Sequence, residues 1–135
     1  MPFNQLNKKS VKIAGGKGAS LGEMTSAKLP VPPGFVVLAS AFDSFLKNTP
    51  PPIGPGQDLN VYIEASLAKV NHQDISSVDK ESHIIQDMIH RAEMPKDIET
   101  AILTEYKKLS AKGGSAFGRK WVAVRSSATA EDSSV

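Results

Sequence analysis

Two clusters in this sequence carry residue types suited to binding a phosphate group. The first is a glycine-rich run that contains a lysine, Gly15-Gly16-Lys17-Gly18. Because glycine has no Cβ, backbone amides in such a run can approach an anion closely, and a helix that begins there adds the positive end of its dipole. Lys17 would add a full positive charge. The alternative is that the glycines only begin a helix, and the run alone does not decide between the two.

Two familiar phosphate-binding motifs do not fit this glycine-rich run. With Lys17 as the lysine of a Walker P-loop, the first glycine would fall at Val11 and the Ser/Thr at Gly18. A dinucleotide-binding fingerprint that begins at Gly16 would need its third glycine at Leu21, and no clear strand precedes it. Any phosphate site here therefore has a different pattern.

The second cluster is Arg125-Ser126-Ser127, which follows the β-prone run Val122-Ala123-Val124. An arginine at the carboxyl end of a strand, followed by hydroxyl groups and free amides, suits a nucleotide phosphate. The alternative is an ion pair between Arg125 and a nearby carboxylate such as Glu131 or Asp132.

The histidines and cysteines predict no metal site. The histidines are His72, His83 and His90, and the last two lie seven residues apart on one predicted helix without a third ligand nearby. The chain has no cysteine, which excludes a disulfide scaffold and a zinc site built on thiolates.

Length and charge place the chain in a broad class. Its 135 residues predict a single domain over residues 1–135. A net charge of +2 is too balanced to indicate a nucleic-acid partner. No apolar run approaches the ~18 residues that a membrane span needs, and the first residues lack the apolar core of a secretory signal. We therefore expect a cytoplasmic protein with no membrane partner.

Hydrophobic periodicity and turn residues predict an α+β fold with about five helices packed on a small sheet. Gly22 lies inside the first helix, where glycine costs about 1 kcal/mol relative to alanine, so we expect a close packing contact there. The predicted strands are Phe35–Leu38 and Lys120–Arg125. The predicted helices are about Lys17–Lys28, Ser40–Lys47, Leu59–Val70, Val78–Arg91 (with Ser77 as its cap) and Pro95–Leu109.

Three motifs taken together resemble one known family. They are GGKGASLGEM at 15–24, VPPGF at 31–35 and VAVRSSATAED at 122–132. In this order and at roughly this spacing they resemble the N-terminal nucleotide-binding domain of the phosphoenolpyruvate synthase (pyruvate, water dikinase) family. Pyruvate phosphate dikinases and rifampicin phosphotransferases share much of the pattern.

The resemblance implies the N-terminal lobe of an ATP-grasp domain, with ATP and Mg²⁺ as its cofactors. It implies that Lys17 and Arg125 contact the ATP phosphates and serve catalysis by placing charge. The nucleotide site then also includes the nearby glycines and hydroxyl residues Gly15, Gly16, Gly18, Ser126, Ser127 and Thr129. Members of the family phosphorylate a histidine on a separate swivelling domain, and a barrel domain passes the phosphoryl group to pyruvate, giving phosphoenolpyruvate, AMP and phosphate.

The family pattern extends beyond what these 135 residues contain. The second lobe, which would supply the magnesium carboxylates, has no counterpart here, and neither do the phosphohistidine domain and the barrel. We therefore expect that the chain alone does not catalyse and that its partners are ATP and the missing domains, or a subunit that carries them. Two alternatives stay open. One is a non-catalytic interaction or regulatory module that forms homo-oligomers, and the other is the ATP lobe of a rifampicin phosphotransferase-like or pyruvate phosphate dikinase-like enzyme.

Overall fold

The computed structural model describes residues 1–51, 58–111 and 121–129, and these residues contain five α-helices. Two short 3₁₀ turns, Phe3–Gln5 and Lys8–Ser10, precede the first helix. The helices are α1 (Val11–Ser26), α2 (Ala39–Asn48), α3 (Leu59–Leu67), α4 (Ile75–Arg91) and α5 (Lys96–Ala111). Each of the five predicted helices is present. The ends of α2 to α5 lie within three residues of the prediction, whereas α1 begins six residues before the predicted start at Lys17.

Two helix starts show how local capping sets these ends. Asp58 accepts a hydrogen bond from the amide of Val61 at 3.1 Å and caps α3, which begins where it is predicted to begin. The start of α4 is three residues earlier than predicted, because Asp74 accepts from the amide of Ser76 at 3.0 Å and is the N-cap. An N-cap oxygen satisfies an amide that has no partner within the helix, so the nearest well-placed acceptor sets the start.

The prediction of an α+β fold is wrong, since the described residues contain no strand. Phe35 forms one isolated antiparallel bridge with Pro2, and the predicted strand Phe35–Leu38 goes no further. Around that bridge, the amide of Phe3 donates to the carbonyl of Gly34 at 3.1 Å and the amide of Val36 donates to that of Met1 at 2.8 Å. Proline has no amide hydrogen to continue a ladder, and α2 begins at Ala39, so the pairing ends within a few residues.

The second predicted strand is also absent from the described residues. Lys120 lies outside them, and residues 121–128 are neither helical nor paired with a strand. Trp121 is 99% exposed and Val124 is 92% exposed, so these two apolar side chains of the segment are almost uncovered. Its hydrogen bonds go instead to the glycine-rich turn of α1.

The described residues divide into two compact units. One contains those of Met1–Ala41 and Asp97–Val135, and the other contains those of Phe42–Lys96. In the first unit, the buried apolar side chains are Leu6, Ala14 and Ala19, at 1%, 2% and 1% exposure. α1 packs there against both 3₁₀ turns. In the second unit α3 packs against α4, and Leu59 is fully buried.

Glycines let the segments of the first unit approach α1 closely. A Cβ added to Gly22 would lie 2.5 Å from Leu6 Cβ and 2.6 Å from its carbonyl carbon, so the close contact expected at Gly22 is confirmed. A Cβ on Gly18 would lie 3.1 Å from a methyl group of Val36. α1 is thus fitted on one side to the 3₁₀ turns and on another to the segment that precedes α2.

Within the described residues, no helix is both long enough and apolar enough to cross a membrane.

Candidate functional site

The glycine-rich run lies at a break inside α1. Gly15 has φ 71° and ψ 170°, a backbone conformation outside the helical region, with helical residues on both sides. L residues with a side chain rarely adopt a positive φ, so glycine suits this position. The break divides α1 into a short first part and a second part that runs from Gly16 to Ser26. This agrees with the predicted turn that opens a helix near Lys17.

The segment around Ser127 lies directly against this break. The amide of Gly18 donates to Ser127 Oγ at 3.0 Å, and the same hydroxyl donates to the carbonyl oxygen of Ala14 at 2.7 Å. The amide of Gly16 donates a longer bond, of 3.4 Å, to the carbonyl oxygen of Ala128. The two clusters identified in the sequence, more than 100 residues apart, therefore meet in the structure.

This contact limits the distance between the two predicted cationic residues. Lys17 is the immediate neighbour of Gly18, and Arg125 is two residues from Ser127. Given the 3.0 Å hydrogen bond that joins Gly18 to Ser127, covalent geometry keeps the Cα atoms of Lys17 and Arg125 within about 15 Å. The two residues therefore lie on neighbouring segments of the fold.

The predicted site residues differ in their hydrogen bonds within the protein and in their exposure. The amides of Gly16 and Gly18 and the hydroxyl of Ser127 form hydrogen bonds within the protein. Lys17 is half-buried, whereas Arg125 is exposed. The amides of Gly16 and Gly18 are therefore already used within the protein. The remaining predicted residues, Ser126 and Thr129, are exposed.

Sequence reasoning missed two partners in this contact, the carbonyl oxygens of Ala14 and Ala128. Backbone acceptors have no side-chain signature, so no residue type in the sequence pointed to them. The adjacent glycines Gly15 and Gly16 were the available signal, because glycine permits a positive φ, and a break in a helix leaves backbone groups that need new partners. The suggested carboxylate partners of Arg125, Glu131 and Asp132, lie outside the described residues.

Titratable side chains elsewhere do not form a metal centre in the part of the chain that the structure describes. No group of three or more histidine, cysteine, aspartate or glutamate side chains is close enough there to hold an ion. His83 lies 3.6 Å from Asp79, one turn away on α4, and both side chains are more than 70% exposed. Both side chains therefore lie on a solvated face of α4.

The unit that contains Phe42–Lys96 has a cavity of its own, of about 510 Å³. It includes none of the predicted site residues. Its lining is formed by the end of α2 with the prolines after it and by the connection between α4 and α5: Asn48, Thr49, Pro50, Pro51, Arg91, Ala92, Glu93, Met94, Pro95 and Lys96.

Comparison with known proteins places both clusters in one family pattern. Residues 11–135 match the family described as pyruvate phosphate dikinase, AMP/ATP-binding domain. The matched range includes the glycine-rich turn at its start and the Ser127 segment near its end.

Individual relatives carry the name phosphoenolpyruvate synthase. A probable phosphoenolpyruvate synthase of Methanothermobacter thermautotrophicus is 42% identical over 130 residues, which is 96% of this chain and 18% of the relative. One from Methanocaldococcus jannaschii is 45% identical over 130 residues, again 96% of this chain but 10% of the relative. The phosphoenolpyruvate synthase of Pyrococcus furiosus is 35% identical over an alignment that covers 96% of this chain and 19% of the relative. The chain thus spans between a tenth and a fifth of the length of these relatives.

Proposed function

The chain belongs to the family of pyruvate phosphate dikinase AMP/ATP-binding domains, and we propose that it is the ATP-binding part of a phosphoenolpyruvate synthase-like phosphotransferase. The complete reaction converts ATP, pyruvate and water to AMP, phosphoenolpyruvate and phosphate through a phosphohistidine on another domain. The chain spans a small share of its relatives, so this activity needs parts that the 135 residues do not include. We also propose that this enzyme is cytoplasmic, since ATP and pyruvate are both cytoplasmic metabolites.

One observation carries this proposal more than any other: the hydrogen bond between Gly18 and Ser127. It joins the two clusters that the sequence indicates as phosphate-binding candidates. It also limits the distance in space between the Cα atoms of Lys17 and Arg125. The names of the relatives favour pyruvate as the acceptor over an antibiotic.

In this proposal Lys17 and Arg125 hold the triphosphate from two sides. Phosphoryl transfer asks little covalent chemistry of the protein, and most of the catalysis comes from positioning and from placing positive charge against the phosphate oxygens. Arg125 is suited to this role because its planar guanidinium can donate two parallel hydrogen bonds to a phosphate. Lys17 adds a point charge at the start of the Gly16–Ser26 helix, where the dipole also favours an anion.

The described residues do not supply a magnesium site. No acidic cluster is present among them, so we assign no magnesium ligand to this part of the chain. In a phosphoenolpyruvate synthase-like enzyme the carboxylates that hold Mg²⁺ would come from the second lobe.

Titration of the 135-residue chain with ATP, followed by calorimetry, tests the proposal. We expect weak binding of one ATP per chain. Lys17→Met should weaken the affinity about tenfold to a hundredfold, because a hydrogen bond to a charged group is worth roughly 1.5–3 kcal/mol. Lys12→Met is the matched control, since Lys12 is an exposed lysine of the same helix and should leave the affinity unchanged.

Two results would contradict the proposal. Absence of ATP binding by the unaltered, folded chain would remove the nucleotide function. Complete conversion of pyruvate to phosphoenolpyruvate by the pure chain would show that no further domain is needed.

A further inference from the structure

Ser127 occupies the place of a helix hydrogen bond. In an uninterrupted helix the amide of Gly18 would donate to the carbonyl of Ala14, four residues earlier. In the structure both groups instead bind the hydroxyl of Ser127, which accepts from Gly18 at 3.0 Å and donates to Ala14 at 2.7 Å. A side chain from 109 residues away is thus inserted into the hydrogen-bond ladder of α1. Such insertions are a recognised cause of helix breaks.

Gly15 and Ser127 are fitted to each other at this insertion. A Cβ on Gly15 would lie 2.5 Å from Ser127 Oγ and 2.6 Å from its carbonyl carbon, which is closer than atoms of a folded chain approach. The positive φ of Gly15 opens the ladder, and the missing Cβ makes room for the serine. The break and the inserted hydroxyl therefore depend on each other.

The insertion joins the two chain segments that carry the predicted phosphate-binding residues. Lys17 lies between the break and Gly18, so its backbone is part of the turn that Ser127 holds. Arg125 lies two residues before Ser127, on the chain that the same hydroxyl anchors. Loss of the hydroxyl would leave the Gly18 amide and the Ala14 carbonyl without these partners, and the segment that carries Arg125 would lose its strongest described tie to α1.

We infer that Ser127 is a positioning residue, whose hydroxyl sets the spacing between Lys17 and Arg125 by insertion into α1. This inference rests on the proposed ATP-binding function. It differs from the expectation that Ser127 itself binds nucleotide, because its proton is given to Ala14 and its oxygen accepts from Gly18. A nucleotide would have to break the insertion to use the hydroxyl fully.

The test is a double-mutant cycle on ATP affinity in the 135-residue chain, with the variants Ser127→Ala, Arg125→Met and both together. Ser127→Ala should weaken ATP binding about tenfold. If Ser127 positions Arg125, then Arg125→Met should cost much less affinity in the Ser127→Ala background than in the unaltered chain, because a misplaced arginine contributes little. If Ser127 binds ATP independently, the two losses multiply, and that result overturns the inference.

Amide hydrogen exchange supplies a readout that needs no ligand. The Gly18 amide should exchange slowly in the unaltered chain and at least tenfold faster in Ser127→Ala, whereas Ser127→Thr, which keeps a hydroxyl, should restore much of the protection. Ser20→Ala, at an exposed serine of α1, is the matched control and should change neither exchange nor affinity. If Ser127→Ala does not fold, the unaltered chain still decides the matter, because a rapidly exchanging Gly18 amide overturns the inference by itself.

Failure of the inference can be distinguished from failure of the proposed function. An unaltered chain that does not bind ATP overturns the function and the positioning role with it. An unaltered chain that binds ATP, together with a Ser127→Ala variant that binds it equally well, overturns the inference alone.

Discussion

Gly22 of α1 lies against the backbone of Leu6, so closely that a Cβ on the glycine would be 2.6 Å from the carbonyl carbon of Leu6. Leu6 is 1% exposed and is one of the few fully buried side chains among the described residues. The contact joins the segment before α1 to the helix that carries Lys17. It explains why a helix contains a residue with poor helix propensity.

Replacement of Gly22 by alanine should therefore destabilise the chain. Helix propensity alone would favour alanine by about 1 kcal/mol, but overpacking against backbone atoms that cannot move aside costs roughly 1–3 kcal/mol. We expect the second effect to dominate and the free energy of unfolding in urea to fall. Gly18→Ala is the matched control in the same helix. The nearest atoms to its Cβ would be methyl groups of Val36 and Ala14, at 3.1 and 3.2 Å, and not backbone. A small shift of these methyl groups offsets the gain of about 1 kcal/mol in helix propensity, so a nearly neutral change is expected. A Gly22→Ala variant more stable than the original would contradict this packing.

The fluorescence of Trp121 measures how exposed the segment is that was predicted as the second strand. Trp121 is the single tryptophan of the chain and is 99% exposed. We expect red-shifted fluorescence, like that of indole in water, with efficient quenching by iodide. Unfolding in urea should change the emission wavelength little.

The same fluorescence tests the alternative of a homo-oligomeric interaction module. If copies of the chain associate through residues 121–124, the emission should shift to the blue and resist iodide as protein concentration rises. Light scattering on the same samples gives the mass. A blue-shifted, unquenched tryptophan in a dilute monomer would instead contradict the exposure of Trp121.

The pKa of the Met1 amino group should lie below its ordinary value. Partial burial lowers the pKa of this amine from 8.0, opposed by the charge of Glu105, while Lys108 lowers it further. In its charged form the amine donates a hydrogen bond to the carbonyl of Val36 at 2.8 Å. Because the folded pKa lies below the unfolded one, the unfolded chain binds more protons between the two values. This group therefore makes the free energy of unfolding rise with pH as the pH approaches 8.

A pH titration of Met1 followed by NMR measures this pKa directly. A chain with one extra glycine before Met1 is the control, since its terminal amine is displaced from the site and should titrate near 8. A Met1 pKa at or above 8.0 in the folded chain would contradict the burial of the amine.

The helices could be predicted from sequence because their signals are local. The apolar stripe of α5, with Ile98, Ile102, Tyr106 and Leu109, is half-buried as its spacing predicts. The start of α4 was misplaced because Asp74 and Ser77 both suit a cap and only the folded geometry selects between them. In the structure, Ser77 Oγ accepts from the amide of Asn71 at 3.0 Å.

The strands could not be predicted reliably because a strand depends on a partner elsewhere in the chain. Phe35–Leu38 has the composition of a strand, yet the segment beside it begins Met1-Pro2 and allows one bridge. For the candidate site, residue types alone pointed to two clusters, and the assignment of nucleotide contacts within them stays a prediction. The sequence marked Lys17 and Arg125 as cations in suitable surroundings, but it did not show that Ser127 would be inserted between Ala14 and Gly18.

We propose that Lys17 and Arg125 together hold one triphosphate, and calorimetry with inorganic tripolyphosphate measures this without the adenosine part of the nucleotide. The unaltered chain, Lys17→Met, Arg125→Met and Arg125→Lys are compared for both affinity and stoichiometry. We predict one tripolyphosphate per chain throughout, with affinity reduced about tenfold or more by each methionine variant and partly restored by Arg125→Lys. Two binding sites in the unaltered chain, one of which disappears in each methionine variant, would contradict the claim, as would an affinity that neither substitution changes.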